Sequence, residues 1–257
     1  MSSTETRLLS DEPLYDVIGQ GYTRQRRPDP RIAAAIETAL GDAGSVLNVG
    51  AGAGSYEPRS RRVVAVEPSR VMIAQRDSES APVVLGRAER LPFADASFDA
   101  VLGVLTLHHW SDQMAGLREC TRVARSRVVL LTWDPEPGGF WLTQHYLPLF
   151  MALDREQFLS MDAFAGAFGP GARVESIPVP IPRDCVDGFL GAFWARPEAY
   201  LDPNVRDGIS SFARIDTSAG LAKLRADLAD GTWRARFGRV LELDALDIGY
   251  RIVTAEL

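Results

Sequence analysis

The sequence predicts a doubly wound α/β fold with a mostly parallel sheet. In the first half of the chain, short apolar runs rich in β-branched residues alternate with helical or turn segments, which is typical of parallel strands buried on both faces. From Asp134 onward, a cluster of prolines and glycines leads into an aromatic-rich stretch, which predicts a helical cap inserted in the C-terminal half. The 257 residues, 46% of them hydrophobic and 24% charged, are enough for one sizeable core.

The individual elements follow from periodicity and from turn residues. Residues 31–40 are rich in helix formers, carry Ile32 and Ile36 on one face and precede Gly41, which predicts a helix. The strands predicted in the first half are 45–49, 62–66, 83–85, 100–104 and 128–133. In the second half we predict strands over 174–181 and 246–254 and an amphipathic helix over 220–233.

Charge and cysteine usage argue against several classes of protein. A net charge of −6 disfavours long nucleic acid, whose binding depends on broad phosphate neutralisation. The two cysteines, Cys120 and Cys185, lie far apart and outside any C-x-x-C motif, so neither a disulfide framework nor a metal site is predicted. No apolar run is long enough to span a bilayer, and we expect a cytoplasmic protein without a membrane partner. The oligomeric state is left open.

A glycine-dense turn, Gly50-Ala51-Gly52-Ala53-Gly54, follows the first predicted strand. Glycine lets the backbone approach a ligand closely and adopts positive φ without strain. The spacing is G-x-G-x-G, which differs from the G-x-G-x-x-G of dinucleotide-binding units, and the Gly-Lys-Ser/Thr of a P-loop is missing. We expect a bound ligand at this turn, and a plain tight turn is the alternative.

The second predicted strand ends in the carboxylate of Glu67, followed by Pro68 and Ser69. An acid at this position is placed to accept both ribose hydroxyls of a bound nucleoside. The alternative is a solvated strand-end acid, or a charge at the N-terminus of a helix over 69–76.

Further segments complete an ordered set of motifs: Leu-Gly-Arg-Ala-Glu-Arg-Leu-Pro-Phe over 85–93, the strand that ends near Val104, and Leu-His-His-Trp over 107–110. Their order over residues 15–133 resembles the class I S-adenosylmethionine-dependent methyltransferases, in particular the small-molecule branch of the ubiquinone and menaquinone biosynthesis methyltransferases. This resemblance implies a Rossmann-like sheet with an antiparallel last strand and S-adenosyl-L-methionine as the cofactor. It also implies three regions: N-terminal lid helices (1–44), a cofactor-binding core (45–133), and the rest of the α/β domain with an inserted substrate cap (134–257).

The resemblance also implies cofactor contacts, residue by residue. The glycine turn is expected against the methionine and ribose part of the cofactor, and the end of the fourth strand is expected to offer carbonyls to its ammonium group. Two positions depart from the family pattern, since Asn48 replaces a common aspartate and Arg87 stands where an acid is expected near the adenine. The residues assigned to cofactor binding are Tyr22, Arg27, Asn48, Gly50, Ala51, Gly52, Glu67, Pro68, Met72, Arg87, Ala88, Glu89, Gly103 and Val104.

The candidates for a general base are His108 and His109, which follow the fourth predicted strand. They could instead only pack against the loop. A sulfonium methyl is already activated, so alignment of a small organic acceptor for in-line displacement can suffice. The alternatives are a nicotinamide-dependent oxidoreductase and a non-catalytic S-adenosylmethionine-binding protein. Lysine-assisted chemistry is disfavoured because Lys223 is the only lysine of the chain.

Overall fold

The computed structural model describes residues 26–137 and 139–257. Tyr22, which the sequence assigns to a lid, lies outside the described residues. None of the helices within the described ranges is long and apolar enough to cross a membrane.

A seven-stranded sheet forms the centre of the fold. Its strands are β1 (Ser45–Val49), β2 (Arg62–Glu67), β3 (Val83–Leu85), β4 (Phe98–Val104), β5 (Ala124–Trp133), β6 (Arg173–Pro178) and β9 (Tyr250–Glu256). The order across the sheet is β3-β2-β1-β4-β5-β9-β6. Strands β1 to β5 pair in parallel, whereas β9 runs antiparallel to both of its neighbours, β5 and β6. The predicted Rossmann-like sheet with an antiparallel last strand is therefore confirmed.

The helices flank this sheet or lie in the second half of the chain. They are α1 (Pro30–Leu40), α2 (Arg70–Ile73), α3 (Gln113–Val123), α4 (Pro148–Gln157), α5 (Met161–Ala167), α6 (Pro203–Asp207), α7 (Ser218–Ala229) and α8 (Thr232–Phe237). Shorter helical turns cover Leu107–His109, Leu142–Tyr146, Leu190–Phe193, Pro197–Leu201, Ser210–Ala213 and Gly238–Glu242. A small second sheet pairs β7 (Ile181–Pro182) with β8 (Ala245–Leu246).

Helix α1 forms where the sequence predicts it. The buried Asp29 caps its N-terminus by accepting a hydrogen bond from the Arg31 N–H at 3.0 Å. Ile32 and Ile36 face the core, and Gly41, with φ +57°, ends the helix.

Three elements of the second half differ from their predicted extent. The predicted strand over 174–181 is divided into β6 of the large sheet and β7 of the small sheet. The predicted helix over 220–233 is divided into α7 and α8 by Gly231, whose φ of +84° is incompatible with a continuous helix. The predicted strand over 246–254 is divided into β8 and β9 around Gly249, with φ +101°. The helix expected over 69–76 is only the short α2.

The sheet topology creates a crevice at the carboxyl ends of the central strands. The chain passes from β1 to β2 on one side of the sheet and from β4 to β5 on the other, so the two connections diverge between β1 and β4. Ligands of open α/β sheets bind outside the carboxyl ends of the strands at such a switch point. The segments that follow β1, β2 and β4 therefore meet at the place where a ligand is expected.

Candidate functional site

A first cavity lies at the carboxyl ends of β1, β2 and β4. Most of the residues assigned to cofactor binding share its wall: Asn48, Gly50, Ala51, Gly52, Glu67, Pro68, Met72, Arg87, Ala88, Glu89 and Val104. Residues that are distant in sequence are thus brought together as the motif order predicts.

The glycine turn brings its backbone to the cavity wall. Gly50 has φ +68° and Gly52 has φ +54°, conformations that favour glycine. A Cβ atom at Gly50 would overlap the side chain of Thr106, which follows β4. Gly50 therefore allows the turn after β1 and the segment after β4 to approach each other beside the cavity.

Glu67 fastens the end of β2 to this turn. One carboxylate oxygen accepts a hydrogen bond from the Gly52 N–H at 2.8 Å, and the other accepts one from the Ser69 N–H at 2.9 Å. The residue is only 5% exposed. Glu67 also lines the cavity, so its carboxylate contributes hydrogen-bond acceptor oxygens to the wall.

Asn48 presents an unsatisfied acceptor at the cavity wall. Its amide nitrogen donates to Glu57 Oε1 at 3.3 Å, whereas no hydrogen-bond donor among the described residues reaches its buried Oδ1. An unpaired buried polar atom costs free energy. The Asn48 oxygen is therefore suited to a ligand that donates a hydrogen bond.

A buried ion pair supports the turn from behind. Arg76 and Glu57 lie 2.6 Å apart, with side chains 4% and 8% exposed. Arg76 also donates to the Gly52 carbonyl at 3.1 Å, and Glu57 accepts from the Ala81 N–H at 2.8 Å. The pair links the glycine turn to the segment that precedes β3.

Glu89 holds the segment that follows the two histidines. Its Oε1 accepts hydrogen bonds from the Ser111 N–H and hydroxyl, both at 2.7 Å, and from the Asp112 N–H at 3.2 Å. Burial raises the pKa of Glu89, but these hydrogen bonds outweigh it and leave the pKa below its ordinary value. Glu89 is thus an ionised residue of the cavity wall that also fixes the loop before α3.

A second cavity adjoins the first, and Arg26 and Leu105 line both. Leu105 has φ +49°, a conformation that is strained for a branched residue and is found at functional sites. Aromatic side chains form much of the second wall: Trp133, Phe158, Phe189 and Tyr250. Polar side chains line it as well: His108, Asp154, Gln157 and Arg214.

Asp154 stands out in this second cavity. It lies on α4 and is only 7% exposed. Burial raises the pKa of Asp154 to about 7, and the nearby Arg214 limits the rise. Sequence reasoning missed this residue. A signal was present, because Asp154 follows the buried Phe150 and Met151 at i+4 and i+3, on the apolar face of its helix.

Comparisons with known proteins agree with this geometry. The family model described as a methyltransferase domain matches residues 47–132. The demethylmenaquinone methyltransferase of Mycolicibacterium vanbaalenii is 40% identical over 120 residues, which cover 46% of this chain and 50% of that protein. The chain spans about half the length of the first curated relatives that it matches.

A solved structure from Anabaena variabilis, described as a candidate methyltransferase from an antibiotic biosynthesis pathway, matches almost end to end. It is 36% identical, with a TM-score of 0.83, and the match covers 90% of this chain and 99% of that one. This chain belongs to the class I S-adenosylmethionine-dependent methyltransferases. The methyltransferase also resembles the [4+2]-cyclase SpnF, with a TM-score of 0.55 and coverage of 95% and 94%, but their 16% identity shows the fold alone.

Among the described residues that the sequence assigns to the cofactor of the methyltransferase, Gly103 and Arg27 are not on the wall of the first cavity. Gly103 lies inside β4, where an added Cβ would meet Leu130, and the wall is formed by Val104, Leu105 and Thr106 after it. Arg27 is exposed, whereas its neighbour Arg26 lines both cavities. Contacts of Gly103 and Arg27 with the cofactor stay predictions.

The two histidines of the methyltransferase face different cavities. His109 lines the first cavity and His108 the second, with their ring centroids 3.8 Å apart. Burial lowers the pKa of His109 to about 3 and the pKa of His108 well below its ordinary value, and Arg214 and Arg26 act in the same direction. These shifts favour the neutral imidazole of both residues, and the role of either one as a general base stays a prediction.

The other aromatic residues of the second half mostly fill the core of the methyltransferase. Large buried side chains of this kind include Phe150, Phe164, Trp194 and Tyr200. Phe158 and Phe189 are the members of this stretch that line the second cavity. Within the described ranges, no three His, Cys, Asp or Glu side chains come together as a possible metal site.

Proposed function

We propose that the chain binds S-adenosylmethionine in the first cavity and transfers its methyl group to a small organic acceptor in the second cavity. The observation that carries this proposal is the junction of the two cavities at Arg26 and Leu105. One cavity has the glycine turn and Glu67 of the family, and the other has an aromatic wall. A ligand in each would place its reactive end near the shared wall.

The residues of the first cavity fit this cofactor. Its ammonium group, ribose hydroxyls and adenine amino group are hydrogen-bond donors. The cavity presents the unsatisfied Oδ1 of Asn48 and the carboxylate of Glu67 as acceptors. Arg87, at the position where the family carries an acid, also lines the cavity and offers donors to ring nitrogens.

When bound, S-adenosylmethionine supplies an electrophilic methyl group on a positively charged sulfur. The chain contributes binding and alignment: Glu67 and the glycine turn hold one end of the cavity, and Leu105 lies between the cofactor and acceptor spaces. The aromatic side chains of the second cavity exclude water from the acceptor.

A small acceptor is favoured by the wall of the second cavity. This wall is largely aromatic with a few polar side chains, which is typical of small-molecule sites. The net charge of −6 disfavours a long nucleic acid as the acceptor. A demethylmenaquinone methyltransferase among the relatives acts, by its name, on a small organic compound.

Calorimetric titration with S-adenosylhomocysteine tests the cofactor, and a parallel titration followed by NADH fluorescence tests the oxidoreductase alternative. We expect saturable binding of the first ligand and none of the second. Binding of NADH, or no heat with S-adenosylhomocysteine while the fold is intact, would overturn the proposal.

Transfer of tritiated methyl from S-adenosylmethionine into small molecules extracted from cells, but not into bulk RNA, tests the acceptor class. It also separates an enzyme from a non-catalytic binding protein.

A further inference from the structure

We propose that the methyl acceptor is a planar phenol and that Asp154 accepts its hydroxyl proton during the transfer. This inference rests on the proposed function and adds a substrate class and a base to it. It follows from three properties of the second cavity: its aromatic walls, its unsatisfied polar atoms and its charges.

The aromatic walls favour a planar ligand. Trp133 and Phe158 meet edge to face at 5.6 Å between ring centroids, and Phe189 packs against Tyr250 at 4.7 Å. The imidazole of His108 stacks on Phe158 at 4.5 Å. Flat side chains that already support one another form a preformed aromatic wall, against which the ring of a ligand can make stacking or edge contacts.

Polar atoms in the same cavity lack partners. Neither the buried Nδ1 of His108 nor the buried Nε2 of Gln157 has a hydrogen-bond partner among the described residues. Gln157 is held by Arg214, which donates to its Oε1 at 2.6 Å. These atoms suit a ligand with more than one oxygen substituent, because the amide nitrogen donates and a neutral imidazole nitrogen can accept or donate.

Asp154 is the only carboxylate among the described residues that line this cavity. The Asp154 carboxylate is buried and receives no hydrogen bond from the described residues. Burial therefore raises its pKa to about 7, which suits a general base near neutral pH. Tyr250, whose own pKa is raised by burial and by Asp154, lies close to it on the cavity wall. Asp154 is thus placed to take a proton from a bound hydroxyl group.

The surrounding charges disfavour a cationic acceptor such as an alkylammonium group. Arg214 and Arg26 both line the cavity, and Arg26 forms an ion pair with Asp187 at 2.7 Å. The described charged residues that line the cavity are Arg26, Arg214 and Asp154, so its wall has no excess of negative charge to attract a cation. A neutral phenol that becomes more anionic as it loses its proton is stabilised by Arg214.

The step balances without a further reactant. The phenol oxygen forms a bond to the methyl carbon, and the C–S bond breaks with its electron pair left on sulfur. The hydroxyl proton passes to the Asp154 carboxylate and from there to solvent after product release. The products are an aryl methyl ether and S-adenosylhomocysteine.

The experiment uses the full chain with tritiated S-adenosylmethionine and three matched sets of probes: 2-naphthol, hydroxycoumarins and hydroxyflavones; the corresponding aryl amines; and the corresponding methyl ethers. Binding of each probe to the protein saturated with S-adenosylhomocysteine is followed by tryptophan fluorescence, since Trp133 lines the cavity. We expect planar phenols to bind and to be O-methylated. The amines and ethers are not expected to accept the methyl group.

The variants Asp154→Asn, Asp154→Glu and Glu156→Gln separate a base from a structural residue, because Glu156 is exposed on the same helix and lines neither cavity. Asp154→Asn should lower kcat by about 100-fold or more, with the affinities for S-adenosylhomocysteine and phenol changed only a few-fold. Wild type and Asp154→Glu should lose kcat as the pH falls below about 7. The acid limb should be missing from the residual activity of Asp154→Asn. Glu156→Gln should behave as wild type.

Several results would overturn the inference. Transfer to amines or to carbon only, no transfer to any planar phenol, or an Asp154→Asn variant with wild-type kcat and acid limb would each contradict it. If S-adenosylhomocysteine still binds in those cases, the proposed function stands. If S-adenosylhomocysteine does not bind, the proposed function itself fails.

Discussion

The Glu67 carboxylate accepts a hydrogen bond from the Gly52 N–H at 2.8 Å, so the tip of β2 holds the turn that follows β1. Its other oxygen accepts from the Ser69 N–H at the start of α2. One buried side chain thus fixes two walls of the first cavity before any ligand arrives. The cavity is preorganised, which lowers the cost of ordering on binding.

Replacing Glu67 should weaken cofactor binding. Glu67→Gln removes the negative charge and replaces one of the two oxygens that accept hydrogen bonds from Gly52 and Ser69. Hydrogen bonds to charged groups contribute about 1.5–3 kcal/mol each. We expect the Kd for S-adenosylhomocysteine, measured by calorimetry, to rise by about tenfold or more. The matched control is Glu79→Gln on the exposed loop before β3, which should leave Kd unchanged.

The buried pair of Arg76 and Glu57 should matter for stability. Removing one partner leaves an uncompensated buried charge. Glu57→Ala should therefore lower the free energy of unfolding, measured with urea, by about 3–5 kcal/mol. Asp184→Ala, which breaks the exposed ion pair of Arg31 and Asp184, should leave the midpoint almost unchanged. Similar midpoints for the two variants would contradict a structural role of the buried pair.

Gly50 should not tolerate a side chain. Gly50→Ala places a Cβ against Thr106 at a residue with φ +68°, and the backbone strain alone costs about 1–3 kcal/mol. We expect a lower thermal midpoint and loss of S-adenosylhomocysteine binding. Gly171→Ala is the control, because an added Cβ there meets nothing within 4 Å. A Gly50→Ala variant as stable as Gly171→Ala would show that the close approach to Thr106 is not needed.

The stability of the protein should depend on pH through Asp154. Its pKa of about 7 in the folded state lies above the unfolded value of about 4. The folded state therefore binds the proton more tightly between these values, and stability falls as the pH rises through this window.

Asp154→Asn removes this dependence and should raise the free energy of unfolding at pH 8 by up to about 4 kcal/mol, but not at pH 4. Denaturant unfolding at both pH values measures the difference, with Glu156→Gln as the control. If Asp154→Asn lowered the free energy of unfolding by the same amount at both pH values, burial of the ionised Asp154 would not be what destabilises the fold at pH 8.

Much of the first cavity could be predicted because its signals are local in sequence. A glycine turn after one strand and an acid at the end of the next are each readable from a few residues, and the parallel sheet places them side by side. The order and direction of the strands follow from the same motifs. The glycines at 231 and 249, which divide predicted elements, were visible in the sequence, but their positive φ was not.

A substrate cap over 134–257 was expected, but the residues of the second cavity could not be predicted, because long-range packing assembles it. Its wall joins Leu105 after β4, Asp154 on α4, Phe189 and Arg214 in the second half, and Tyr250 at the start of β9. No spacing in the sequence links these residues. The histidines were assigned as bases from their position after β4, whereas their low basicity follows from burial that only the fold shows.

A structure determined with S-adenosylhomocysteine tests the two-cavity account most directly. We predict that the ligand lies in the first cavity, with its ribose hydroxyls at Glu67 and a donor on Asn48 Oδ1. We also predict that its sulfur faces the second cavity past Leu105. A ligand bound elsewhere, or one whose sulfur points away from the aromatic cavity, would contradict the account.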